Sequence, residues 1–136
     1  MKASLALLAL AATAGVASAS PELDYLLHCQ GCHLPDGRGK PGAVPSLVDS
    51  IGRFAALPGG REFLVRVPGS AQSPLDDASL AALLNWMVRR FGPVPSEFQP
   101  FGAAEVARVR RPPLTEVAAT RRALLQELAR GERSDR

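Results

Sequence analysis

Residues that bind metals or cross-link chains are scarce in this sequence, which has two cysteines, two histidines and two methionines among 136 residues. Both cysteines lie in one short stretch of the chain. A structural zinc site needs about four ligands. Cys29 and Cys32 have only His28 and His33 near them in the chain, crowded into the same turn. This crowding argues against zinc.

Aromatic residues make up 5% of the chain and the formal net charge is only +3. Basic residues are concentrated at the end: residues 104–136 contain eight arginines and five acidic residues, whereas residues 20–103 contain seven basic and eight acidic residues. Nucleic-acid binding usually requires a dense basic stripe with interleaved aromatics. No such stripe is present, so we expect no nucleic-acid partner.

The longest apolar run lies at the beginning of the chain, where Ala and Leu dominate residues 4–16 after the basic Lys2. Ala17-Ser18-Ala19 has the small-residue pattern of a secretory cleavage site. The run is too short for a membrane-spanning helix. We therefore predict a signal peptide over residues 1–19, an exported mature chain that begins at Ser20, and no membrane span after cleavage. An uncleaved N-terminal anchor is the alternative.

The cysteines belong to the sequence Cys29-Gln30-Gly31-Cys32-His33. Cys-x-x-Cys-His is the attachment pattern of haem c. One helical turn separates Cys29 from Cys32, so both sulfurs can reach the same porphyrin edge and add to its vinyl groups. The sequence predicts one covalent haem c with His33 as an axial ligand of the iron.

Other uses of two closely spaced cysteines are a disulfide, a zinc site with other ligands, or a thiol redox pair. A thioredoxin-like redox site needs a βαβ unit around it, and the sequence contains no convincing strand. Haem c is attached outside the cytoplasmic membrane in bacteria, which agrees with the predicted export. Haem attachment is therefore favoured.

Helical patterns account for most of the mature chain. The strongest follows Asp76, a good N-cap, and ends at Gly92-Pro93. It has one apolar stripe, formed by Leu80, Leu83, Leu84, Met87, Val88 and Phe91. Other helices are predicted from Pro21 into the CxxCH motif, over 53–57, after Pro58, over 103–109, and from Thr115 to about residue 130. Residues 34–47 and 68–74 are predicted loops, and 131–136 a frayed end.

The order of these features resembles the small class I cytochrome c family. Pro35-Asp36-Gly37 begins a similar glycine-rich loop, and Pro45 follows His33 by twelve residues, the interval usual in the family. The resemblance implies an all-α, cytochrome c-like haem domain over 20–91 with a C-terminal helical extension over 92–136. It also implies that the Pro45 carbonyl accepts a hydrogen bond from His33 Nδ1 and orients that ring, and that Trp86 packs on the first helix.

The sequence departs from the family at the second axial ligand. The family takes a methionine from the loop before the last helix, but residues 67–75 contain none. Met87, the single methionine of the mature chain, lies on the helix itself. It is either the second iron ligand or one more residue of the apolar stripe. If it does not bind iron, the sixth position is open, holds water or takes another donor.

The function implied by the resemblance is periplasmic one-electron transfer without enzymatic activity. Its partners would be redox proteins: a periplasmic dehydrogenase as donor and an oxidase or another cytochrome as acceptor. The first alternative is an open-site haem c protein that binds small ligands or reacts with peroxide. The second is a haem-free thiol–disulfide protein.

Two interpretations of the arginine-rich tail remain open. The tail is either a solvated helix that packs apolar residues on the domain, or a docking element for an acidic redox partner. The apolar residues concerned are Val117, Leu124, Leu125 and Leu128. The arginines concerned are Arg108, Arg110, Arg111, Arg121 and Arg122.

Overall fold

The structure, a computed structural model, describes residues 20–134. The signal-peptide prediction for residues 1–19 therefore lies outside the described residues. Within residues 20–134 the fold is all-α, as predicted, and no β-strand is present apart from one isolated bridge between Lys40 and Val44. The helices are α1 (Pro21–His28), α2 (Gln30–His33), α3 (Ile51–Ala56), α4 (Gly60–Arg66), α5 (Pro68–Ala71), α6 (Asp77–Phe91), α7 (Ala103–Val109) and α8 (Val117–Ser134). None of these helices is long and apolar enough to cross a bilayer.

Helix α6 is the centre of the core, because its apolar stripe is buried as its periodicity predicts. Asp76 caps it: a carboxylate oxygen accepts a hydrogen bond from the Ser79 N–H at 2.7 Å. Such a cap stabilises a helix by about 1 kcal/mol. Arg89 and Arg90 occupy the last turn, where positive charge complements the helix dipole.

Helices α1 and α6 pack together through aromatic side chains. The ring centroids of Tyr25 and Trp86 are 5.4 Å apart, and those of Tyr25 and Phe91 are 5.0 Å apart. The predicted packing of Trp86 on the first helix is confirmed. This contact holds α1 against α6, and the CxxCH motif follows directly from the end of α1.

Three element boundaries differ from the sequence prediction. Residues 68–71, predicted as loop, form the short helix α5, because Pro68 suits a first helical position. Helix α3 begins at Ile51, two residues before the predicted start. Helix α8 begins at Val117 and continues through Gly131 to Ser134, so the end predicted near residue 130 was wrong.

The C-terminal extension is attached to the rest of the chain by polar contacts. Arg61 of α4 donates to both carboxylate oxygens of Glu105 at 2.7 and 2.6 Å. Asn85 of α6 exchanges two hydrogen bonds with the Phe101 backbone, at 2.9 and 2.7 Å. The Leu114 N–H donates to the carbonyl of Arg66 at 2.8 Å. Helix α7 and the segments on either side of it are thus held on the domain at several points.

The predicted packing of the tail is confirmed for three of its four apolar residues. Leu124 is buried, and Val117 and Leu128 pack against the core. Leu125, expected among them, is exposed. Of the arginines, Arg110 is buried, which contradicts a wholly solvated set.

Candidate haem site

The CxxCH motif opens onto a largely apolar cavity between α1, α3, α4 and α6. Cys29, Cys32 and His33 form part of its wall, and Pro45 comes from the loop that follows them. The remaining wall is mostly hydrophobic and includes Leu47, Ile51, Phe54, Phe63, Leu64, Val67, Leu80, Leu83, Leu84 and Met87. The structure therefore brings all five predicted site residues to one cavity.

The backbone places the two thiols and the imidazole on one tight turn. The N–H groups of Cys32 and His33 both donate to the Cys29 carbonyl, at 3.1 and 2.9 Å. The turn ends at Leu34, whose φ of 65° lies in the left-handed region that non-glycine residues seldom adopt. The Tyr25 hydroxyl donates to the Leu34 carbonyl at 2.6 Å and holds this strained residue in place.

Glycine is required at two positions in the loop that returns from this turn to Pro45. Gly37 has a φ of 74°, and a Cβ atom there would come within 2.6 Å of the Phe91 ring. Gly39 has a φ of 68°, and its Cβ would lie 2.3 Å from the Val44 carbonyl oxygen. The close packing made possible by these glycines places Pro45 beside the cavity.

His33 is suited to act as a neutral ligand. Burial lowers the pKa of its imidazole, while the backbone of Pro45 acts in the opposite direction and favours the protonated ring. Nδ1 is buried, yet it makes no hydrogen bond of normal geometry. The Pro45 carbonyl is thus a neighbour of the ring without a well-formed bond to Nδ1. Orientation of His33 by Pro45 stays a prediction.

The cysteines do not have the properties of a redox pair. They form no disulfide with each other, and burial, followed by the charge of Asp24 and then Cys32, raises the pKa of Cys29 to about 11. Reactive thiols have lowered pKa values, because the thiolate is the nucleophile. A thiol–disulfide function is therefore disfavoured.

These residues suit a haem group. The cavity offers an extended apolar lining for a macrocycle, two thiols on one turn for its edge, and an imidazole with an unpartnered buried nitrogen. Buried polar atoms without partners are rare, and each needs an explanation. Here that atom is His33 Nδ1, which lies beside the Pro45 backbone, so the fit to haem rests on the apolar lining, the two thiols and the imidazole donor in the cavity wall.

Two curated relatives are similar to this chain. Cytochrome c-552 of Thermus thermophilus is 34% identical over 118 residues, an alignment that covers 71% of this chain and 90% of the relative. A cytochrome c-552 from the Thermus thermophilus strain ATCC 27634 is also 34% identical over 118 residues, with 71% of this chain and 80% of the relative covered. No family model matches the chain.

The chain belongs to the c-type cytochrome family. The CxxCH motif, the all-α fold and the relatives agree on this point. The family consists of haem-containing electron carriers, and the cavity beside Cys29 and Cys32 is the candidate haem site of this cytochrome.

Other residues of the cavity wall bear on the identity of the second axial ligand of the iron. Met87 is 7% exposed and faces the cavity from α6, along with Leu83 and Leu84. The segment between α4 and α6 contributes Ser70 and Ser73, which are small and carry hydroxyl groups. Met87 thus shares the cavity with His33, a position compatible with both of its predicted roles.

Two functional candidates did not follow from the sequence reasoning. Arg121 of α8 lines the cavity and is the one lysine or arginine that does so among the described residues. Arg110 is buried against the segment that carries Ser70 and Ser73. The sequence groups both in a basic tail, because a single sequence gives no sign of which arginines turn inward. The apolar spacing around Leu124 was the one available indication.

Proposed function

We propose that this cytochrome is an exported, periplasmic one-electron carrier with a single haem c. The observation that supports this proposal most strongly is that the CxxCH turn lines an apolar cavity. Cys29 and Cys32 would hold the porphyrin edge through thioether bonds, and His33 would bind the iron. The bound haem supplies a one-electron couple, while the protein fixes its ligands and excludes water from it.

Burial supports the assignment of His33. The imidazole must be neutral to bind iron, and its lowered pKa favours that form. Pro45 lies beside the ring and is the proposed acceptor for Nδ1. That bond would leave Nε2 for the iron and increase its basicity.

Met87 is the proposed second axial ligand. Outside the CxxCH turn, it is the one cavity-lining residue with a sulfur donor in the part of the chain that the structure describes. Histidine and methionine together raise the reduction potential and keep the iron geometry constant during electron transfer.

An open sixth position is the alternative, and one observation favours it. The segment before α6 places Ser70 and Ser73 at the cavity, and neither provides a strong iron ligand. The protein would then bind small ligands or react with peroxide. Carbon monoxide discriminates the two cases, because it binds rapidly to the reduced protein only when the position is open.

Arg121 is suited to the carboxylates of the haem. It lines both the main cavity and a second pocket formed by Arg38, Ser46 and their neighbours. Within residues 20–134 it forms no salt bridge or side-chain hydrogen bond, and its Cζ atom lies 5.8 Å from the Phe54 ring centroid. We propose that it neutralises a propionate group.

Electrons would enter or leave near Cys32, which is exposed. Leu26 and Leu27 on the preceding turn are 52% and 59% exposed and form an apolar surface beside the motif. Proposed partners are redox proteins: a periplasmic dehydrogenase as donor, and an oxidase or another cytochrome as acceptor.

A potentiometric titration of the purified holoprotein tests this function. We expect a reversible absorbance change that fits one single-electron step, and no rapid reaction of the reduced form with carbon monoxide. Irreversible oxidation, or fast carbon monoxide binding, contradicts the carrier and favours the open-site alternative. Titration of free thiols distinguishes the carrier from the haem-free thiol–disulfide alternative, because sulfurs in thioether bonds to haem do not react with thiol reagents.

A further inference from the structure

Arg110 follows the last residue of α7 and is 5% exposed, although it is an arginine in a basic tail. Its guanidinium makes six hydrogen bonds to one segment, residues 70–77, which we call the wall segment. Four go to carbonyl oxygens, those of Ala71 at 3.2 Å, Leu75 at 2.7 Å, Ser73 at 2.7 Å and Ser70 at 3.4 Å. The other two go to Ser73 Oγ at 3.1 Å and Asp77 Oδ1 at 3.0 Å.

The wall segment joins α5 to α6 and forms one side of the cavity. Ser70 and Ser73 line the cavity, as His33 does. Both residues also accept hydrogen bonds from Arg110 through their carbonyls. One guanidinium therefore sets the path of the backbone that faces the haem site.

The charge of Arg110 is balanced mainly by backbone dipoles. Within residues 20–134 its single carboxylate partner is Asp77, whose side chain is 38% exposed. The planar guanidinium presents five donors in a fixed fork, so it can satisfy several carbonyls that point in different directions. A lysine ammonium cannot reproduce this arrangement, because its donors radiate from one atom.

We propose that Arg110 is a positioning residue for the wall segment, and that through it the C-terminal extension restricts the entry of small molecules to the candidate haem cavity. The ligand-entry part of this inference rests on the proposed function. The positioning part rests on the hydrogen bonds alone. Residues beyond the haem domain thereby become part of the haem site.

Two measurements on the oxidised holoprotein test the proposal. The first is the rate at which added imidazole binds the iron. The second is amide hydrogen exchange of residues 70–73, whose N–H groups are hydrogen-bonded within or next to α5. The variants are Arg110→Gln, Arg110→Lys and the matched control Arg111→Gln, which removes the same charge from an exposed neighbour.

Arg110→Gln is expected to increase both rates by about tenfold, as the loss of a few buried hydrogen bonds would. Arg110→Lys should fall between it and the wild type, and Arg111→Gln should match the wild type. If Arg110→Gln does not fold, Arg110→Lys and Asp77→Asn carry the test, with smaller increases in both rates.

Unchanged rates in the Arg110 variants overturn the proposal. So does a uniform increase in exchange that includes the α6 amides, because that pattern reports global destabilisation rather than local release. A wild-type chain without covalent haem overturns the proposed function instead. Exchange of residues 70–73 still tests the positioning role in that case.

Discussion

Tyr25 connects α1 to the strained residue that follows the CxxCH turn. Its hydroxyl donates to the Leu34 carbonyl at 2.6 Å, and its ring packs on Trp86 and Phe91. Tyr25→Phe keeps the ring and removes only the hydroxyl, leaving the carbonyl without its partner. We expect a loss of about 1–2 kcal/mol in the free energy of unfolding, measured by denaturant titration at pH 7. An unchanged value would mean that the bond contributes nothing.

Tyr25 also makes the free energy of unfolding depend on pH. Burial is the largest cause that raises the pKa of Tyr25 to about 12 from its ordinary value near 10. Because the folded pKa is the higher one, the stabilisation is complete below pH 10 and is lost as the pH rises towards 12. We expect the free energy of unfolding to fall over that range in the wild type and to fall less in Tyr25→Phe. Parallel curves for the two proteins contradict this assignment.

Met87→Leu tests the second axial ligand while keeping side-chain volume. If Met87 binds the iron as proposed, the ferric protein loses its weak near-infrared thioether band and its reduction potential falls. Absorption spectra in both oxidation states provide the measurement. Leu84→Ile is a useful control, because it alters another cavity-lining position of α6, adds no iron donor and leaves Met87 in place. Identical spectra for Met87→Leu and the wild type exclude Met87 as the ligand.

Single residues were predictable from sequence where a motif fixes their chemistry. Cys29, Cys32 and His33 follow from a spacing that serves one edge of one macrocycle. Met87 stays undecided because the helical period that buries it also aims it at the cavity. Arg110 was not predictable, because its partners are carbonyls more than thirty residues away.

Helix α8 places one positively charged side chain, that of Arg121, in the lining of the candidate haem cavity. Arg121→Gln removes a positive charge from the cavity lining, whereas Arg122→Gln removes one from an exposed position next to it. A nearby cation stabilises the reduced haem, so we expect Arg121→Gln to lower the reduction potential and Arg122→Gln to leave it nearly unchanged. Equal shifts in both variants would show that Arg121 acts only through net charge.

Docking of α8 depends on one apolar face. Leu124 is buried and Leu125 is 38% exposed, so the pair offers a matched comparison. We expect Leu124→Ala to destabilise the protein by about 2–4 kcal/mol and Leu125→Ala by about 0.5 kcal/mol or less. Thermal or denaturant unfolding measures both. Similar small effects would indicate that α8 does not pack on the domain in solution.

Long helices with a clear capping residue were easier to predict from the sequence than short ones. Helix α6 has a long run of apolar residues at helical spacing and a capping aspartate, and both predicted the helix that the structure contains. Helix α5 was missed because it has four residues and contains Pro68, Gly69 and Ser70, which also favour turns. Helix α8 continues past Gly131, since one glycine lowers helix stability only modestly.

In the whole molecule, the described part of the C-terminal extension packs against the haem domain and is not a detached tail. Arg61 and Glu105 join α4 to α7, and Arg110 joins α7 to the cavity wall. Composition marks this region as basic and helical, but it does not show which surface the region covers. That arrangement depends on tertiary contacts between residues far apart in sequence, which periodicity cannot reveal.

The central claim is that one haem is joined to the polypeptide at Cys29 and Cys32. Intact-mass measurement of protein secreted by a host able to attach haem c tests it most directly. We expect the mass of a chain beginning at Ser20 plus one haem, retained after denaturation, and loss of that stable adduct in a Cys29→Ala and Cys32→Ala double variant. A wild-type mass equal to the polypeptide alone, with both thiols reactive, would contradict it.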